Sequence, residues 1–102
     1  MGEAKDYKIL NVDYAGGDVN VYSGEARYDS RMAAYMAMVE RAKALKAHEE
    51  NWAMGYGKKG TFDIRENFDK ESCLVTGLFP DKNGGHVETL YLLSVKEGDY
   101  RV

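Results

Sequence analysis

One stretch limits what this chain can fold into. Ser30 to Glu50, SRMAAYMAMVERAKALKAHEE, is its only long run with a helical period. At 100° per residue, Ala34, Tyr35, Met38, Val39, Ala42 and Leu45 share one arc, with Met32 at its edge. Glu40, Arg41, Ala44 and His48 lie opposite, with Ala33 and Ala37 among them. Ala, Met, Leu, Glu and Lys lose little freedom in a helix, and no Gly or Pro interrupts the run. Asp29 or Ser30 supplies an oxygen for the unpaired N–H groups of the first turn, and Gly55 and Gly57 follow as breakers. Such a rod is roughly 30 Å long, enough to cross a whole sheet of a small domain. Glu49 and Glu50 oppose the dipole at the C-terminal end, so the last turn is expected to fray unless another group holds it.

The remainder reads as strand and turn. Tyr7–Tyr14 is β-rich and runs into the turn Ala15-Gly16-Gly17-Asp18, after which Val19–Tyr22 alternates. These two strands form a hairpin, and Ala26-Arg27-Tyr28 extends a strand before the helix. Asn51–Gly60 is irregular, with Trp52, Met54 and Tyr56 two apart, the spacing of an extended flap. Thr61–Phe68 and Ser72–Phe79 join through Asp69-Lys70-Glu71, and the turn Pro80–Gly85 leads to a last strand, His86–Val95. Lys96–Val102 is polar and expected to fray. The order ββ-α-βββ defines an α+β fold: one long helix packed on a mostly antiparallel sheet of about five strands, a single domain over residues 1–102 with frayed termini.

Two of those strands carry more apolar residues than one face needs. Cys73-Leu74-Val75 and Leu90-Tyr91-Leu92-Leu93 are apolar at successive positions, unlike a strand with one side in water. A single helix covers one face. The other needs the 51–60 flap, strong curvature or another chain; left bare, it is a patch of the kind that marks an interaction site.

Composition excludes several classes. With 44% apolar, 30% charged and a single proline, the chain is not disordered. Cys73 is alone, so no intrachain disulfide forms and a reducing, cytoplasmic setting is expected. No run approaches the length of a membrane span, and no basic-then-apolar leader pattern is present. The net charge of −3 is unevenly spread: residues 31–59 hold six basic groups against three acidic, and acidic groups predominate on both sides. That helix and the loop after it carry Arg31, Arg41, Lys43, Lys46, Lys58 and Lys59, either a solvated outer face or an anion-binding site.

No catalytic or metal signature is complete. Gly55-Tyr56-Gly57-Lys58-Lys59-Gly60 has the glycines and lysines of a phosphate cradle, but it follows a helix and does not match the P-loop spacing. Cys73, His48 and His86 supply a thiol and two imidazoles, yet Cys73 lies inside an apolar strand. Asp63, Glu66, Asp69 and Glu71 cluster around a hairpin, where carboxylates are usually solvated. No catalytic residue, metal or cofactor is assigned.

Eight tyrosines and Trp52 join apolar rings to polar tips, the composition of interfaces. The expectation is a non-enzymatic protein-interaction module that self-associates as a homodimer or docks on a protein partner through its sheet, using Trp52, Tyr56, Tyr91, Tyr14 and Tyr22. By general analogy, a short acidic chain of this kind fits an inhibitor or adaptor such as phage and mobile-element genes encode. Two other classes stand beside it. One is a nucleotide- or nucleic-acid-binding domain using the basic helix and the Gly55–Gly60 loop; the other is a small enzyme built on Cys73 or the carboxylate hairpin. No membrane partner is expected.

Overall fold

The structure, a computed structural model, describes residues 6–14, 18–24, 26–80 and 82–98. In chain order the elements are β1 (Asp6–Asp13), β2 (Asn20–Ser23), α1 (Arg31–Gly55), β3 (Thr61–Asn67), β4 (Ser72–Phe79) and β5 (His86–Gly98). The strands form one sheet in the order β2-β1-β5-β4-β3, antiparallel throughout, with α1 packed on one face. This is the α+β fold of the ββ-α-βββ pattern. The last strand takes the central place because its Leu90–Leu93 run is suited to burial on both sides.

Strand alternation sorts the side chains. Ile9, Phe62, Cys73, Val75, Tyr91 and Leu93 face α1 and pack against Met38, Ala42 and Ala53. Tyr35, Val39 and Leu45 flank that core half-buried, while Met32 stays exposed. Leu10, Val12, Leu74 and Leu92 alternate with the inner set and so take the opposite face. The ladder between β4 and β5 slips once: Val75 pairs with Tyr91 but Thr76 pairs with Thr89, leaving Leu90 as an extra residue. Such a bulge bends its strand and sharpens the local twist.

Ser30, not Asp29, caps α1, its Oγ accepting from the Ala33 N–H at 3.1 Å. The N-terminal end is tied to the sheet by Arg31. Its guanidinium donates to both oxygens of Glu71 at 2.9 Å and to Glu97 at 2.5 Å, and lies 5.5 Å from the Tyr7 ring centroid.

The other end corrects the expected flap. α1 runs 25 residues to Gly55, about 37 Å, so Trp52 and Met54 are helical. No breaker precedes Gly55, and the methyl group of Ala53 is buried in the core with Phe62. The two-apart spacing of Trp52, Met54 and Tyr56 is therefore no sign of extended chain. Gly57, at φ 66°, ends the helix, and the Tyr56, Lys58 and Gly57 N–H groups close the carbonyls of Trp52, Ala53 and Met54 in turn. Glu49 and Glu50 now lie a turn inside the helix. Glu49 accepts from the Tyr91 hydroxyl at 2.5 Å, and Glu50 pairs with Lys46 at 3.3 Å.

Two further expectations change. Lys96, Glu97 and Gly98 belong to β5, paired with Lys8, Tyr7 and Asp6, rather than to a frayed tail. Of Ala26-Arg27-Tyr28, only Tyr28 pairs, in a single bridge to Tyr7. The expected turn at residues 15–17 and the last four residues lie outside the described residues.

Candidate functional site

The sheet face turned away from α1 can be laid out from the strand registers. One row across the strands is Val21, Val12, Leu92, Leu74 and Arg65, and the row beside it is Leu10, Ser94, Ser72 and Asn67. Past the bulge come Thr89, Thr76 and Asp63, then Val87, Leu78 and Thr61. Val21, Leu78 and Val87 are 62%, 48% and 59% exposed, while Leu10, Val12, Leu74 and Leu92 are half-buried among their neighbours. No described helix or strand packs across this face. Its charges stand at the margin: Lys8 opposite Lys96 at one end, Asp63 and Arg65 on the outer strand. A shallow hollow of about 260 Å³ lies between Asp63, Arg65, Thr76, Leu78 and Val87.

The five aromatic residues singled out in the sequence fall in three places. Trp52 and Tyr56 stack at the end of α1, centroids 4.9 Å apart, with the Lys58 ammonium 4.7 Å from the Trp52 ring centroid. Tyr14 and Tyr22 are exposed on the β1–β2 hairpin. Tyr91 is only 6% exposed, its ring in the core and its hydroxyl on Glu49, so it presents nothing to a partner. Burial, then the Glu49 carboxylate, hold the Tyr91 phenol neutral far above its ordinary range.

The six cations do not converge. Arg31 is engaged by Glu71 and Glu97, Lys43 by Glu40 at 3.2 Å and Lys46 by Glu50. Along the helix, Arg31 and Lys46 are about 22 Å apart. Arg41 is exposed on the helix, away from the loop. Lys58 and Lys59 follow the helix C-terminus, where positive charge offsets the negative end of the dipole. They line a hollow of about 630 Å³ floored by Ala53, Phe62 and Leu78, but Glu50 lines it too. A carboxylate and a helix C-terminus beside two lysines make a poor seat for a polyanion.

The catalytic candidates are likewise dispersed. Cys73 is fully buried opposite Leu93, and burial, with a smaller contribution from Glu66, raises its thiol pKa. His86 pairs with Phe79, six positions along β4 from Cys73, about 20 Å away, and its ring contacts Glu88 at 3.0 Å. His48 is exposed on α1. Among the carboxylates, Asp63 accepts from the Ile64 N–H, Glu66 from the Tyr35 hydroxyl, and Glu71 binds Arg31. Among the described residues, no group of three or more His, Cys, Asp or Glu is placed to hold a metal ion, and no helix is long and apolar enough to cross a membrane.

One surface lies at the edge of the core arc and was missed in the sequence. Met32 and Met36 are exposed on the flank of α1 beside Tyr35, whose ring meets exposed Phe68 edge-on at 5.3 Å. The signal was the second stripe Met32, Tyr35, Met36, Val39, spaced i, i+3, i+4, i+7. No family model matches the chain, and neither a curated protein nor a solved structure is found to match it.

Proposed function

We propose that this chain is a non-enzymatic protein-interaction module, of the inhibitor or adaptor kind, that docks through the sheet face turned away from α1. The observation that carries it is the row Val21, Val12, Leu92, Leu74, with Leu78 and Val87 beyond Thr76 and Thr89, charge confined to the margins of the face and no described helix or strand across it. A five-stranded face is about 20 Å wide, and with seven residues of strand its footprint is about 460 Å², a little over half of the roughly 800 Å² that each partner contributes to a standard interface. Depletion of charge at the centre with polar groups at the rim is the layout such interfaces show.

Substitution at exposed positions tests the face without opening the core. Val21→Glu, Leu78→Glu and Val87→Glu should each leave the fold intact by circular dichroism. Each should also remove any protein that co-purifies with the wild-type chain from its native host. Ala44→Glu, on the outer side of α1, should leave that partner bound. If the three sheet variants retain the partner and Ala44→Glu loses it, docking runs through the helix and the proposal fails.

A further inference from the structure

β3 forms one edge of the sheet, and among the described residues no strand neighbours its outer side. There the Ile64 N–H is held by the Asp63 carboxylate of its own strand, at 2.9 Å. An N–H engaged in that way is turned to the open side. Backbone groups alternate between the two sides of a strand, so Phe62, Ile64 and Glu66 all offer their N–H and C=O groups outward. Asp63 and Arg65, both exposed, project between them on the face away from α1.

We propose that two copies of this chain pair antiparallel along β3, about a two-fold axis at Ile64. Ile64 then faces Ile64 of the second copy and exchanges both backbone hydrogen bonds with it; Phe62 and Glu66 do the same with each other across the axis. In this register Asp63 stands opposite Arg65 of the second copy, and Arg65 opposite Asp63 of the second copy. The Asp63 carboxylate leaves the Ile64 N–H and takes a guanidinium, while the N–H takes a carbonyl. Thr61 meets Asn67, and exposed Phe68 lies across from Gly60, which has no side chain to collide with it.

The strand's own charges choose the register. Moving the axis one position either way, to residue 63 or 65, sets Asp63 against Asp63 or Arg65 against Arg65. Opposite charges facing across strands stabilise a pair, and like charges destabilise it. An edge strand bearing Asp, Arg and Glu repels most strands that approach it. A second copy in this register is the mate for which those charges are complementary. The inference stands on the edge and not on the far face; its product is a ten-stranded sheet with both helices on one side.

Sedimentation equilibrium over a wide concentration range tests it. The wild type should show a monomer–dimer equilibrium. Asp63→Arg and Arg65→Asp should each weaken the dimer roughly tenfold or more, because each variant sets two like-charged pairs across the axis. The double swap, carrying both substitutions, should restore it. Mixing the two single variants should also give a heterodimer, since every facing pair is then opposite in sign; this arm requires only that each be folded. A wild type monomeric at every concentration overturns the proposal. So does a dimer indifferent to the single reversals, or one lost in the singles and not recovered by the swap or the mixture. If instead Val87→Glu or Leu78→Glu dissolves a dimer that the edge variants leave whole, copies meet through the far face.

Discussion

Tyr91 combines a ring buried beside Val75 with a hydroxyl that reaches Glu49, so it joins the sheet to the helix near its C-terminal end. Replacing it by Phe should keep the ring packing and lose the hydrogen bond. The loss in stability should be about 1 kcal/mol by urea denaturation, below the full value for a bond to a charged group because Glu49 is half-exposed. The phenol's ionisation is raised in the folded chain, so on raising the pH the unfolded chain ionises first. Its contribution is intact below about pH 10, the ordinary tyrosine value, and is lost progressively above it. Tyr91→Phe should flatten that part of the alkaline stability profile. Cys73 gives a second prediction at this scale. Buried and with its thiol pKa raised, it should resist a thiol reagent in the native protein and react at once in denaturant. Fast labelling of the folded chain would revive the cysteine enzyme. Only one of the two placements was legible beforehand. A tyrosine suits a core and an interface equally, whereas a lone cysteine in an apolar strand already pointed inward.

Among the elements, α1 shows where local pattern is a sound guide and where it misleads. Its start, its buried arc and its cap were readable, because they depend on periodicity and one side-chain oxygen. Its end was not. Asn51–Met54 has no strong preference by itself, and the helix continues because Ala53 finds the core beside Phe62, a contact between segments far apart in sequence. Asn51→Pro separates helix from flap directly. A proline inside the helix removes a hydrogen bond and clashes with the preceding turn, so it should cost about 3 kcal/mol in a thermal or urea melt. An extended loop would accept it with little change. The strands ran close to plan, since hairpin turns and alternation are local. The extension of β5 to Gly98 was hidden because Lys96 and Glu97 are polar and gain their place only by pairing with β1.

Across the whole molecule, the sequence supplied the order of elements and the excess of apolar strand surface, but not which residues share a face or which cations meet. Arg31, Lys43 and Lys46 read as a basic helix, yet each has a carboxylate beside it. With those charges offset and a net charge of −3, titration with single-stranded RNA at low salt should give no saturable binding. Saturable affinity that falls steeply as salt rises would restore the polyanion hypothesis. The bulge at Leu90 bears on the docking face as well. Leu92 and Val87 stand five positions apart, an odd interval that would send them to opposite sides of an uninterrupted strand. The single inserted residue resets the phase, so beyond the Thr76–Thr89 pair the apolar side resumes with Leu78 and Val87 at the tip of the β4–β5 hairpin. Deleting Leu90 would leave Leu92 and Val87 four positions apart, an even interval, so the straightened strand would still hold both on one side and the adhesive surface would outlive the kink.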